Sequence, residues 1–327
     1  MTKRRKDTDY LFLSARIRSL EKNLLTAQRL EQLLQAPSAE SCSQLLADLG
    51  YDPIRDEATL QESLKKQREA VFAELERFMP EKELLDVFRI KYDYHNIKVL
   101  LKAPEGAERL LMDAGTIPAR ELQRRYADSG NWQFLPRDMA AAAEKATQLL
   151  AETGSAQRSD CVLDRACFDR LRQLAADSRC DYLQSYVRAM IDAANLRALV
   201  RTERMHMDPG FLQEVLFEGG SVPVDTLRAG AGNGAAALFR STALREAAEL
   251  GEAAVKGGSL TAFEKACDNA VLKTAAGARR VPFGVEVALG YLIAKEAEWT
   301  AVRIVMAGRL AGLSADAIRE RLRDAYV

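Results

Sequence analysis

Apolar residues in this chain recur at steps of three and four, the spacing that aligns side chains on one face of an α-helix. In residues 84–101 the stripe is Val87, Ile90, Tyr94, Ile97 and Leu101. In residues 182–200 it is Tyr186, Ala189, Ala193, Leu196 and Val200. Near the C-terminus it is Leu292, Trp299, Val302 and Met306, interrupted by Lys295. No run alternates with period two between hairpin turns, so we predict an all-α fold.

Each of these three regions contains a nine-residue segment with the same pattern: an acid, two residues, Asn or Ala, an aliphatic residue, a base, then three mostly aliphatic residues. The copies are Asp93–Leu101, Asp192–Val200 and Glu298–Met306. A weaker fourth copy surrounds Arg16–Arg18, where Leu13 stands in place of the acid. Because the unit recurs about every 100 residues, we predict three similar helical domains, at residues 1–114, 115–219 and 220–327.

Each copy leads into a turn and a new helix. The turns are Ala114–Pro118, Gly219–Pro223 and Ala311–Ser314. Glycine can adopt the left-handed conformation that ends a helix, and Ser or Thr can cap the next one. We therefore expect Thr116, Ser221 and Ser314 to lie at helix starts.

The repeated polar residues are the candidate structural or interdomain site: Asp93, Asn96, Lys98, Asp192, Asn195, Arg197, Glu298 and Arg303. An acid and a base five residues apart are separated by about 140° around a helix, so they cannot pair within it. Either the charges solvate the edges of the apolar stripe, or the acid of one repeat meets the base of another. For Asn96 and Asn195, exposure and bonding to a loop backbone both stay open.

Composition limits the class of function. Lys and Arg number 47, as do Asp and Glu, so the formal net charge is zero, which argues against a nucleic-acid binder. Hydrophobic residues make up 48%, typical of a globular chain with a core. The basic run at 3–6 is interpreted as a solvated tail, with a membrane-surface contact as the alternative.

Sequence motifs for catalysis and cofactor binding are missing: there is no phosphate-binding loop, zinc-protease motif or nucleophile elbow. Five scattered cysteines and two histidines do not form a metal cluster, and we expect buried, reduced thiols. We predict no enzyme activity, no catalytic residues, no cofactor and no metal. An enzyme with a site assembled from distant acids is the least favoured alternative.

The chain starts with polar residues, and its most apolar stretch, 281–313, carries six charges. We therefore expect neither a signal peptide nor a membrane span, and a cytoplasmic location.

The motifs Asp93–Leu101 and Asp192–Val200, together with Gly290–Glu298, Arg303 and Ile318–Tyr326, resemble the C-subunit family of the V/A-type ATPases, whose eukaryotic member is known as the d subunit. The resemblance spans Tyr10 to Tyr326 in order and spacing.

This resemblance implies a funnel-shaped body of three helical domains and a non-catalytic rotor component. Such a component receives the central shaft, sits on the cytoplasmic face of the membrane proteolipid ring and couples ATP hydrolysis or synthesis to proton or sodium transport. The alternative is a general helical-repeat scaffold for a soluble protein partner. Partners recovered with the chain from native membranes separate the two.

Overall fold

A computed structural model describes residues 5–326, apart from the side chain of Pro209. Helices make up 74% of it, and residues 5–326 contain no β-strand, so the prediction of an all-α fold is confirmed. This helical share is about twice that of an average globular protein.

The described chain contains sixteen α-helices joined by turns and short 3₁₀ segments. They are α1 (Leu11–Leu20), α2 (Ala27–Gln35), α3 (Ala39–Ala47), α4 (Glu57–Phe78), α5 (Asp86–Lys102), α6 (Ala119–Ser129), α7 (Arg137–Thr153), α8 (Ala156–Ser178), α9 (Asp181–Arg204), α10 (Leu212–Val215), α11 (Val224–Ala229), α12 (Ala235–Phe239), α13 (Arg245–Val255), α14 (Leu260–Ala275), α15 (Val285–Leu310) and α16 (Ala315–Arg321).

The three predicted stripes lie on α5, α9 and α15. Their stripe residues are buried, apart from the half-buried Leu101. Each helix also buries polar residues beside its stripe, including Asp93, Asp192 and Glu298. Burial therefore extends beyond one apolar face, which identifies α5, α9 and α15 as core helices rather than surface helices.

Hydroxyl side chains start several helices. The side chains of Thr26, Ser38 and Ser155 accept the backbone N–H three residues ahead at the starts of α2, α3 and α8. Ser259 and Ser314 do the same for α14 and α16. Each satisfies one of the N–H groups that a helix start leaves without a partner. The expectation that Ser314 starts a helix is confirmed.

The chain folds as two compact units. The central unit is Glu83–Leu238. In it, α8 packs against α5, α7 and α9. The central unit therefore contains two of the three repeated helices, joined through α8.

The split unit consists of the described parts of Met1–Lys82 and Phe239–Val327. Here α15 packs against helices from both ends of the chain: α1, α3, α4, α14 and α16. The first and last parts of the sequence thus share one core. The predicted repeats at 1–114, 115–219 and 220–327, and their funnel arrangement, stay a prediction.

Three further expectations concern the basic run, the cysteines and membrane-spanning helices. Lys3 and Arg4 of the basic run lie outside the described residues, whereas Arg5 and Lys6 are exposed. Four cysteines are buried, Cys161 is half-buried, and all five are free thiols. No helix of the described chain is both long and apolar enough to cross a bilayer.

Candidate functional site

The carboxylate of Asp93 on α5 holds the turn that precedes α6. Its Oδ2 accepts the Thr116 backbone N–H at 3.0 Å and the Thr116 hydroxyl at 2.6 Å, and its Oδ1 accepts the Ile117 N–H at 3.1 Å. Asp93 is fully buried. Backbone N–H donors satisfy a buried carboxylate that would otherwise be costly. We call this arrangement the Asp93 clamp.

Asn96, one turn further along α5, holds the same connection at a second point. Its Nδ2 donates to the Met112 carbonyl at 2.9 Å, and its Oδ1 accepts the Met112 N–H at 2.8 Å. The side-chain amide therefore pairs with both polar groups of one residue's backbone. Of the two interpretations left open by the sequence, bonding to a loop backbone is confirmed.

The second repeat reproduces this geometry on α9. Asp192 accepts the Ser221 N–H at 2.7 Å, which defines the Asp192 clamp. Asn195 donates to the Phe217 carbonyl at 2.8 Å and accepts the Phe217 N–H at 2.8 Å. The aspartates and asparagines, 99 residues apart in sequence, thus make the same kinds of hydrogen bond, so the sequence repeat is also a repeat of local structure.

Glycine is required beside each aspartate because the turn approaches the carboxylate closely. A Cβ at Gly115 would lie 2.1 Å from Asp93 Oδ1, and one at Gly220 would lie 2.4 Å from Asp192 Oδ1. Neither distance is possible for non-bonded atoms. The two glycines therefore belong to the site, although the sequence pattern indicated only a role in ending helices.

In the third repeat the acid holds a turn from the other end of the chain. Glu298 on α15 accepts the Leu25 N–H at 2.9 Å, just before α2 begins, and we call this contact the Glu298 clamp. In all three clamps the bonded N–H belongs to a residue one or two positions before the N-cap of the following helix. The Glu298 clamp thus replaces the next turn in sequence, Ala311–Ser314, with one at the N-terminus.

Glu298 also belongs to a buried charge cluster. Its Oε1 accepts the Lys295 ammonium at 2.5 Å and the Tyr51 hydroxyl at 2.7 Å. Both charged side chains are almost completely buried. Burial, followed by the nearby Glu298 charge, holds the pKa of Tyr51 well above its usual range. Lys295, which interrupts the apolar stripe in sequence, is therefore the cation that compensates a buried acid.

Asp93 and Asp192 are different electrostatically. Burial raises the pKa of the Asp93 carboxyl above its ordinary value, although the bonds from Thr116 and Ile117 act in the opposite direction. Burial likewise raises the pKa of Asp192, and the bonds from Ser221 oppose it. Hydroxyl and backbone N–H donors of the adjoining turn therefore oppose the effect of burial on both carboxylates.

The bases of the repeat have three different surroundings. Lys98 donates to Asp164 of α8 at 2.6 Å. Arg197 lines a cavity between α8 and α9. Arg303 is half-buried on α15. The clamp contacts of the three acids thus go to turns and, for Glu298, also to Lys295 of its own helix.

Two expectations about local structure are corrected. The acids are buried, so they do not solvate the edges of the stripe. Thr116 and Ser221 do not cap helices, because the N-caps of α6 and α11 are Pro118 and Pro223. Both errors have one cause: the sequence shows a turn beside a helix, whereas only the fold shows that a buried acid reaches across to it. Leu25 and Tyr51 were missed for the same reason, since both are distant from Glu298 in sequence.

The fold and the site define a class: an all-helical protein in which repeated buried acids hold turns between helices. The sequence matches the ATP synthase (C/AC39) subunit family over residues 13–321. Since this match covers most of the chain, the protein belongs to that family.

Named relatives agree with this assignment. The chain is 25% identical to the C subunit of the V-type sodium ATPase of Enterococcus hirae over 326 residues, covering 97% of this chain and 99% of that protein. It is 25% identical to the C subunit of the A-type ATP synthase of Methanocaldococcus jannaschii, covering 96% and 86%. The corresponding C subunit of the V-type ATP synthase of Thermus thermophilus is also 25% identical, with coverage of 93% and 94%.

Proposed function

We propose that this chain is a non-catalytic central-stalk component of a V/A-type rotary ATPase. It links the central shaft to the proteolipid ring on the cytoplasmic face of the membrane and couples ATP hydrolysis or synthesis to proton or sodium transport. The observation that carries the proposal is the family match over residues 13–321. Relatives named as C subunits of a sodium ATPase and of an ATP synthase align with almost the whole chain.

The geometry of the clamps suits a part that transmits torque. A coupling element has to resist deformation between its two partners, and turns between helices are usually the most compliant parts of a helical protein. Here Asp93, Asp192 and Glu298 each fix such a turn to a core helix. Interior packing and buried, hydrogen-bonded carboxylates both favour one rigid arrangement.

The test is removal of the chain from its native complex and reconstitution with the purified protein. Without it, we expect ATP hydrolysis by the catalytic head to persist while ATP-driven proton or sodium transport into vesicles is lost. Adding the chain back should restore transport. Transport that continues at the normal rate without the chain would exclude a coupling role.

A second arm tests whether the chain rotates. Engineered disulfides to a shaft or ring protein should leave turnover intact, because these parts move together. A disulfide to a stator protein should stop turnover, and reduction should restore it. The opposite pattern would place the chain outside the rotor, and association with a soluble partner alone would favour the helical-repeat scaffold.

A further inference from the structure

The base of the first repeat is covered by a helix of the same chain. Lys98 of α5 pairs with Asp164 of α8 at 2.6 Å, and Lys102 pairs with Asp160 at 2.9 Å. The two lysines are four residues apart on one helix, and the two aspartates are four residues apart on the other. A helix with acids at i and i+4 therefore matches a helix with bases at i and i+4.

The equivalent positions in the second repeat are Arg197 and Arg201 on α9, each 99 residues beyond its counterpart. Both line an open cavity of about 430 Å³ in the central unit. Its other walls come from α8 and from the connection after α9. On α9 the face equivalent to the covered face of α5 thus borders open space.

Two sequence differences between the repeats coincide with this cavity. Ala194 and Ala198 stand where the first repeat has His95 and Val99, so the face of α9 is smaller. The connection after α9 is also longer: Asn195 holds a residue 22 positions ahead, whereas Asn96 holds one 16 positions ahead. This longer connection contributes Met205, Met207 and Phe211 to the walls.

We propose that this cavity receives a helix of a partner protein that carries two acidic residues at i and i+4. The arginine pair supplies the complementary charge, as Lys98 and Lys102 do for α8 inside the chain. The cavity has room for about three side chains, the part that one face of a helix inserts. Met205 is 68% exposed, and methionine adapts to irregular apolar partners.

Existing contacts of the arginines are compatible with this occupant. Arg197 and Arg201 interact with groups inside the chain, and each guanidinium has five N–H donors in a planar fork. A partner carboxylate can therefore add to an internal contact without replacing it. The proposal is independent of the rotor role, because a partner outside a rotary ATPase would satisfy it equally.

Photo-cross-linking in intact cells of the native host tests the proposal. Met205 is replaced by p-benzoylphenylalanine in the full chain, and the cross-linked partner segment is sequenced by mass spectrometry. We expect a helical segment with two acids four residues apart. A segment without such a pair, a lipid adduct or no adduct above that from the same probe at Leu110, which is 54% exposed, would overturn the proposal.

Charge reversal provides the second readout. R197E/R201E should lower the cross-link yield by on the order of tenfold, since two attractions become repulsions. Reversing the two acids of the identified segment should restore it. The matched control is R120E/R124E, an exposed pair with the same spacing on α6, which should leave the yield unchanged.

If R197E/R201E does not fold, M205E provides the charge test, because Met205 is exposed. Its glutamate places a negative charge at the rim of the cavity, where it would repel the acids of the partner helix. The photo-cross-linking probe then moves to Met207. Yields that stay at the wild-type value in folded R197E/R201E or in M205E would contradict the proposal. Loss of yield in R120E/R124E to the same extent would also contradict it.

Discussion

The central unit and the split unit hold equivalent turns with carboxylates of different length. In the central unit Asp93 and Asp192 are short, so the backbone must approach closely, and glycine stands at the point of contact. In the split unit the longer Glu298 reaches Leu25, and its charge is compensated by Lys295.

This difference shows that one structural task has two chemical solutions. The aspartate clamps depend on the turn, which supplies donors and leaves space for the carboxylate. The glutamate clamp depends on a cation within its own helix. Substitutions should therefore destabilise the two units for different reasons. The expected loss of unfolding free energy depends on how completely each buried charge is compensated.

E298Q should cause the largest loss. It removes the negative charge but leaves the Lys295 ammonium buried, and breaking a buried ion pair costs about 3–5 kcal/mol. Denaturant unfolding of the full chain measures the loss. The double variant K295M/E298Q should recover part of it, because the uncompensated charge is removed as well. A wild-type free energy of unfolding for E298Q would show that the pair is not needed.

G115A should be the next most costly. Its Cβ would lie 2.1 Å from Asp93 Oδ1, so the carboxylate must leave the turn. Loss of these charge-assisted hydrogen bonds is expected to cost about 2–3 kcal/mol in denaturant unfolding. G277A is the matched control, since a Cβ there meets no atom within 4 Å, and it should change stability by less than about 0.5 kcal/mol. Equal effects for both substitutions would refute the close-contact explanation.

The loss of unfolding free energy caused by D93N should depend on pH, and this change is expected to be smaller than the losses for E298Q and G115A. Because the folded pKa of Asp93 is raised, the folded chain holds the proton more tightly than the unfolded chain. The contribution of Asp93 to stability therefore falls as the pH rises from the ordinary carboxyl pKa through the raised one. Asn does not titrate, so the cost of D93N should shrink across this window, by about 1.4 kcal/mol per pKa unit.

Unfolding free energies of wild type and D93N, measured between about pH 4 and pH 7, test this sign. Subtracting one series from the other cancels the groups common to both. A cost that grows with pH would mean that the N–H donors outweigh burial and that the folded pKa is lowered.

Local patterns predicted the helices well but predicted the site only in part. The stripes at Tyr94, Ala193 and Trp299 identify core helices because periodicity records which face is buried. The repeat likewise identified Asp93, Asp192 and Glu298 as special positions. The pattern could not show what these acids contact, since the distance from Glu298 to Leu25 is 273 positions in sequence.

Two glycines and one lysine carried information about the site, but the sequence analysis gave them other roles. Gly115 and Gly220 suggest helix ends when considered alone, whereas a carboxylate on a neighbouring helix explains them. Lys295, considered alone, only interrupts an apolar stripe. A buried base three residues before a repeated acid could have been interpreted as its counter-ion.

Hydrogen exchange at the bonded amides tests the clamps most directly. We expect the N–H groups of Leu25, Thr116, Ile117 and Ser221 to exchange at least about a hundredfold more slowly than in an unstructured peptide, equivalent to about 2.8 kcal/mol of local opening. In D93A the N–H groups of Thr116 and Ile117 should exchange faster, whereas the N–H group of Leu25 should stay protected. Exchange of all four at unstructured rates in the wild-type chain would contradict the claim that buried acids hold these turns.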